Sequence, residues 1–421
     1  MPIAKLIAAA ALWCLPAMAF AQGLNFGGAT VGGVGISTDG FLQYRQVTTA
    51  QAVGAAGNRK ADQLYLSLPG ALAQWRAAKD AGQDVPADVR FLKGLTQIQN
   101  VFVYPAEHDI VLAGPAEPFK TDNPLEPLGT ITGRPVVQLE DLIVALRAVQ
   151  TGGRRGPGGN DFYGCSLENP ANFQDAWTST LARFGAGPQA TLLAEMKKAL
   201  GPQEVKLYGV PADSRVALTM LAADYRLKRL SMGVETVAGL GNALGTEIAA
   251  PRIWFEPAYD PLLMAADGTA YELRGPRLKV LAGPQQFNPQ GANEAQKRFG
   301  ENFSKKMSDV AAKVDALADL QNVTDCFMTA ALIRQDRLLE KAGLDFAWLL
   351  GPVAAPYKTA SLPVPRTAET VVRISGNVIA QGGVSLAYAS FTVVPRNSDG
   401  KTTFAASPAR PSESWFVIKP K

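Results

Sequence analysis

The stretch "VFVYPAEHDIVLAGPAE", residues 101–117, fixes the centre of the fold. Two short apolar runs, "VFVY" and "IVLAG", flank a break at Pro105. Each run is apolar at consecutive positions rather than at alternate ones, which predicts strands covered on both faces inside a sheet. Residues 105–109 then form a short hairpin loop, because proline suits the first corner of a turn and Glu107, His108 and Asp109 tolerate water at its tip. His108 is the only histidine of the chain, so whether it is a catalytic group or a turn residue decides much of the functional reading.

Around this hairpin, strands and helices are intermixed. "LPGALAQWRAAKDAG" reads as a helix opened by Pro69 and closed by Gly82, and "QLEDLIVALRAVQ" as one with Leu139, Leu142, Ile143 and Leu146 on a single side. "GGRRGPGGN" reads as a flexible loop. A strand "FYGCSLE", two helices to Leu200 and a strand "EVKLYGV" follow. In "ADSRVALTMLAADYRLKRL", Val216, Met220, Ala223, Leu227 and Leu230 form an apolar stripe, while Asp224 and Lys228 are spaced as an i,i+4 pair. Phe299, Phe303, Met307, Val310, Val314 and Leu317 predict one long helix; a second runs from Asn322 to about Ala342, and together they suggest a helical hairpin. Asp39-Gly40, Asp267-Gly268 and Asp399-Gly400 lie between β-prone runs and predict two-residue hairpin turns. The expected class is α+β: a mixed sheet with packed helices, a helical hairpin, and antiparallel β segments near both ends.

The 421 residues are 47% hydrophobic and 19% charged, enough for a sizeable core and two or three domains. Composition divides the chain into a leader (1–21), a Gly/Ala-rich hairpin segment (22–60), an α+β core (61–235), a β-rich segment (236–290), the helical hairpin (291–350) and a β-rich C-terminal module (351–421). The leader expectation rests on Lys5, an apolar run from Leu6, helix-breaking Pro16, and small Ala19 and Ala21 before Gln22, the pattern of a secretory cleavage site. Export to the periplasm or the extracellular space follows from it, with no transmembrane segment after cleavage. The formal charge is +4, and Lys5 is the only charge before Gln22, so cleavage leaves +3. Such a small charge gives no reason to expect nucleic acid or an anionic membrane as partner.

Several phrases resemble one family as a set: the opening stretch, "GRPVVQLEDLIVALRA" (133–148), "VPADSRVALTMLAADYRLKRLSMGVE" (210–235) and "LQNVTDCFMTAALIRQDRL" (320–338). They are similar to domain-of-unknown-function family 1598, best over residues 97–235 and more loosely over 299–342. The resemblance implies kinship with exported bacterial proteins, a group expanded in planctomycetes, and carries no catalytic residues across.

Chemistry motifs are sparse. His108 as a general base needs an acid to orient it, yet the side chains of Glu107 and Asp109 point away from its own, and no G-x-S-x-G elbow occurs. "GLGNALG" (239–245) has the wrong spacing for a dinucleotide loop, and "GGRRGPGG" lacks the Lys-Ser/Thr of a phosphate loop. Paired carboxylates such as Asp213 with Asp224, or Glu140 with Asp141, can cleave a glycosidic bond only across a cleft of roughly 5–9.5 Å. The simpler expectation is a helix cap for Asp213 and surface charge for the others. Cys165 and Cys326, the two cysteines beyond the leader, lie in strand-like and helical apolar runs, which predicts buried free thiols. No catalytic, cofactor-binding or metal-binding set emerges. The sequence therefore favours a non-enzymatic module that binds an envelope or extracellular macromolecule, with an extracytoplasmic hydrolase using carboxylates or His108 as the alternative.

Overall fold

A computed structural model describes residues 30–44, 61–155, 161–240, 252–259, 262–351, 357–372, 382–386, 393–395 and 416–418. The expected leader, Asp399-Gly400 and most of "GLGNALG" lie outside these residues. The N-terminal segment gives β1 (Thr30–Val31), β2 (Val34–Ile36) and β3 (Phe41–Tyr44). Next come β4 (Ala61–Ser67), α1 (Leu68–Asp80), α2 (Ala87–Arg90), β5 (Asn100–Tyr104) and β6 (Asp109–Ala116). A small pair, β7 (Phe119–Lys120) and β8 (Leu128–Gly129), precedes α3 (Leu139–Thr151). Of the stretch read as a flexible loop, residues 156–160 lie outside the described residues, while Arg154–Arg155 form β9, which pairs with β10 (Asp161–Phe162). Then follow β11 (Gly164–Glu168), α4 (Phe173–Phe184), α5 (Gln189–Leu200), β12 (Gln203–Tyr208) and α6 (Arg215–Ser231).

The second half begins with β13 (Arg252–Ala258), β14 (Leu262–Met264), β15 (Ala270–Leu273) and β16 (Arg277–Gly283). The helices α7 (Glu294–Lys305), α8 (Met307–Ala311), α9 (Asp315–Gln335), α10 (Leu338–Lys341) and α11 (Ala347–Leu350) follow. The described part of the C-terminal segment contributes β17 (Thr367–Ala368), β18 (Gly382–Ser385), β19 (Val393–Pro395) and β20 (Phe416–Ile418). The fold is α+β, with a mixed sheet, packed helices and antiparallel strand segments near both ends.

Two large sheets organise the chain. One has the order β1-β2-β3-β17-β12-β11-β18-β13-β16; the other runs β19-β14-β15-β5-β6-β4-β20. The first is antiparallel except where β17 meets β3 and β18 meets β13. It takes strands from four of the segments that composition sets apart. The opening stretch lies at the centre of the second sheet, as its two-faced apolar pattern requires: Val101, Val103, Ile110 and Leu112 join the main core, while Phe102, Tyr104, Val111 and Ala113 form a cluster on the other face. Ser67 caps α1 by accepting from the Gly70 amide at 3.1 Å, with Pro69 in the first turn.

Two expectations shift. The Asp-Gly turns do close hairpins, β2–β3 and β14–β15, but as longer loops: Gly40 N–H bonds Ser37 O at 3.0 Å, and Gly268 N–H bonds Ala265 O at 2.9 Å. The expected long helix breaks at Lys306 and again before Asp315, so Leu317 belongs to α9, which starts seven residues before Asn322. The pieces then part company rather than forming a closed hairpin. Helix α7 lies on the edge strand β16, where Ser304 Oγ accepts from Val280 N–H at 2.8 Å, whereas α9 packs between α3 and α6. A helix across that edge blocks further strand pairing.

Candidate functional site

His108 does sit at the hairpin tip, exposed and in the left-handed region at φ 50. Its ring, however, is engaged: Nδ1 lies 3.0 Å from Ala342 O, the carbonyl that ends α10. A carbonyl only accepts, so the proton is on Nδ1. Gly343 follows at φ 63, and a Cβ there would press on the imidazole ring. His108 thus braces a helix end, and among the described residues its ring bonds no serine hydroxyl and no carboxylate. Asp109 departs from expectation: it is buried and accepts from Ser67 Oγ at 2.8 Å.

Of the carboxylates expected as surface charge, Asp141 and Asp224 are buried and Glu140 is half-buried. Asp141 is buried and ion-paired with Arg215, whose Nη2 also donates to Asp319 at 2.5 Å. Thr219 Oγ1 adds a bond to Asp319 at 3.1 Å, and Arg215 Nε donates to Leu125 O at 2.6 Å. Burial opposes the Arg215 charge, but Asp141 and Asp319 outweigh it and hold its pKa above the usual guanidinium value. Burial lifts Asp141 to about 7 despite Arg215, with Asp319 pushing the same way. Nearby Glu126 is half-buried and accepts from Gly32 N–H at 2.7 Å; burial, Asp315 and Asp319 push it up to about 8.

A second cluster gathers on Arg277, which donates to Asp325 and Gln321 at 2.9 Å and to Asn322 at 3.2 Å. Tyr259 OH donates to the same Asp325 at 2.5 Å. Burial raises the Asp325 pKa, with Arg277 opposing. Glu140 binds Trp75 Nε1 at 3.2 Å and the Ala360 amide at 2.8 Å. Ser214, rather than Asp213, caps α6 by accepting from Ala217 N–H at 3.2 Å; Asp213 accepts from Ser361 Oγ at 2.6 Å. Nine residues of helix, about 13 Å of axis, separate Arg215 from Asp224, too far for Asp213 and Asp224 to share a glycosidic bond. Among the described residues no group of His, Cys, Asp and Glu is arranged to hold a metal ion. Cys165 and Cys326 are buried and unbonded.

A cleft of about 540 Å³ opens to solvent between the C-terminal ends of α3 and α9 and the short helices α10 and α11. Ile333, Leu339, Leu344 and Phe346 supply apolar lining, and Arg334, Arg337, Glu340 and Asp345 supply charge of both signs. Its outer wall is pinned at two points. His108 holds the end of α10, and Arg147 of α3 donates to Leu349 O at 3.0 Å and Tyr357 O at 2.6 Å. None of the carboxylates with a raised pKa lines this cleft. Neither the cleft nor the ionic clusters follows from local sequence pattern, because their residues are far apart in the chain. One signal was available: Asp319 and Asp325 lie in "DALADLQNVTDCFMTAALI", too apolar around its circumference for a surface helix.

Among the described residues no helix is long and apolar enough to cross a membrane. No curated protein and no solved structure matches the chain. Residues 168–241, from the end of β11 through α6, do match a family described as a protein of unknown function (DUF1598), the family that the sequence phrases resemble.

Proposed function

We propose that the protein is a non-enzymatic binding or assembly module of the cell envelope, and that the cleft between α3, α9, α10 and α11 is where it grips its partner. One observation carries the reading: Asp141, Asp224 and Asp325 are buried in the core beside arginine or lysine, while the open cleft combines an apolar floor with a rim of both charge signs. Its volume is that of a ligand site, about 300–1,000 Å³. Among the described residues the exposed large apolar side chains, Ile131, Leu181, Val234 and Val364, are far apart in sequence.

A photo-crosslinking residue placed at Arg337 in living cells tests this. A discrete adduct in the envelope fraction, lost when Ala330→Trp fills the cleft floor, is the expected result. The reading fails if no adduct forms, or if a hydrolytic activity is found that Glu340→Gln or Asp345→Asn abolishes without altering the melting temperature.

A further inference from the structure

Lys228 is a lysine buried in the core. It is 2% exposed, and Nζ donates to Leu167 O of β11 at 2.9 Å and to Gln203 Oε1 of β12 at 3.1 Å. Asp224, one helical turn earlier and 0% exposed, approaches Nζ only to 4.0 Å. Among the described residues neither carboxylate oxygen has a hydrogen bond of normal geometry. Strand β18 closes the chamber from the other side, because a Cβ on Gly382 would run into the Asp224 carboxylate and Lys228 Cε. Gln203, 3% exposed, turns its Nε2 toward Asn169 Oδ1 at 2.5 Å, on the half-buried loop after β11.

This arrangement fits an uncharged amine. A neutral amine has two N–H groups and one lone pair, and the two acceptors use both hydrogens. A third N–H, present only in the ammonium form, would have Asp224 beyond bonding distance. Burial acts the same way on both groups, depressing the Lys228 pKa and raising that of Asp224 to about 6. A free amine, a carboxylic acid and a primary amide therefore share a chamber from which water is excluded, so that hydrolysis does not compete with reaction between them.

We propose that Lys228 and Gln203 join in an intramolecular isopeptide bond that ties α6 to β12, with Asp224 as the proton carrier. Nζ, held 3.1 Å from Oε1 by one of its N–H groups, turns about the Cε–Nζ bond so that its lone pair attacks the amide carbon, one bond away from Oε1, and the carbonyl π pair moves onto Oε1. Asp224 protonates that oxygen, takes a proton from Nζ and delivers it to Nε2. The Cδ–Nε2 bond breaks with its electron pair on nitrogen, ammonia leaves on the Asn169 side, and the re-formed carbonyl returns its proton to Asp224. The balance is one amine plus one primary amide giving one secondary amide plus ammonia, with no oxidant, reductant or co-reactant.

Mass spectrometry of the folded full chain decides the matter. The intact mass should fall by about 17 Da from loss of ammonia, and a denatured digest should contain a branched peptide joining Gln203 to Lys228. Cyclisation of an N-terminal Gln22 would lose the same ammonia, so the branched peptide, not the intact mass alone, is the criterion. Lys228→Arg should abolish the branch, and Asp224→Asn should lower the branched fraction at least tenfold at equal times. A digest of folded wild-type protein in which Gln203 and Lys228 lie on separate, unmodified peptides overturns the proposal, whether or not either variant folds. Complete branching in Asp224→Asn would overturn the part given to Asp224.

Discussion

Helices α6 and α4 look alike as sequences and live in opposite surroundings. Both carry apolar residues at three- and four-residue spacing with polar residues between. In α6 every residue but Arg229 is buried, Arg215, Asp224 and Lys228 included; in α4 only Thr180 is buried, and Phe173 and Trp177 are half-covered by α5. The difference lies in what faces the polar side. Around α6 stand α9, β11 and β18, which bring Asp319, Leu167 O and the Gly382 backbone to its charges. Around α4, apart from α5, the polar side has water. Periodicity reports that a helix has two kinds of side; the rest of the fold determines whether the polar one is wet.

The largest effect should come from breaking the buried side of that contrast. Asp319→Ala removes one of the two carboxylates on Arg215 and the partner of Thr219. Leaving a buried ion short of a partner costs about 3–5 kcal/mol, to be read as a lower denaturation midpoint. Replacing Arg215, Asp141 and Asp319 together by apolar residues of similar volume should restore much of that loss, because the desolvation penalty of all three ions then disappears. A change below about 1 kcal/mol for the single variant, as for an exposed pair, would mean that water reaches the cluster.

On the exposed side, Met196→Ala empties the small core that Leu192, Met196, Leu200 and Val372 share beneath α4. The transfer and cavity terms come to about 2–3 kcal/mol. Amide exchange should quicken in α4 and α5 while α9 keeps its protection, since α4 and α5 pack chiefly on each other. Equal loss of protection in both places would show one cooperative unit and erase the comparison.

The third effect is titratable. Glu126 has a folded pKa of about 8 against an ordinary value of 4.5, so the folded state binds its proton more tightly than the unfolded chain does. The sign follows: this contribution is fully present below the unfolded value and is lost as pH rises through the folded one. The melting temperature should fall by a few °C between about pH 5 and 8, and Glu126→Gln should flatten that slope. A slope unchanged in the variant would move the titration to Asp141, lifted to about 7 in the same cluster.

The sequence disclosed what depends on neighbours along the chain: the two-faced apolar strands of 101–117, the Pro69 and Gly82 limits of α1, the turn at His108, and the burial of Cys165 and Cys326. It was silent where partners lie far apart. Asp141 and Glu140 are adjacent and look alike, yet Asp141 meets Arg215, 74 positions on, and Glu140 meets Trp75, 65 positions back. Asp224 and Lys228 were legible as a pair, but not that β18, more than 150 residues later, would seal them from water. The cleft was hidden for the same reason, since its wall exists only where His108 and Arg147 reach across to α10 and α11.

The smallest effect concerns His108 itself. A solvated turn residue predicts a change within about 0.5 kcal/mol for His108→Ala. The bond to Ala342 O raises the expectation to about 1 kcal/mol, the net worth of one hydrogen bond at a partly exposed site. Alanine at φ 50 keeps the left-handed strain and loses the brace, whereas His108→Gly loses the brace and relieves roughly 1 kcal/mol of strain. Glycine should therefore stand close to wild type in global stability, with alanine below it. Both should speed amide exchange at the α10 end, because the bond that holds Ala342 is gone in each. If the two variants match the wild type in exchange there, the imidazole is a bystander and the wall of the cleft depends on Arg147 alone.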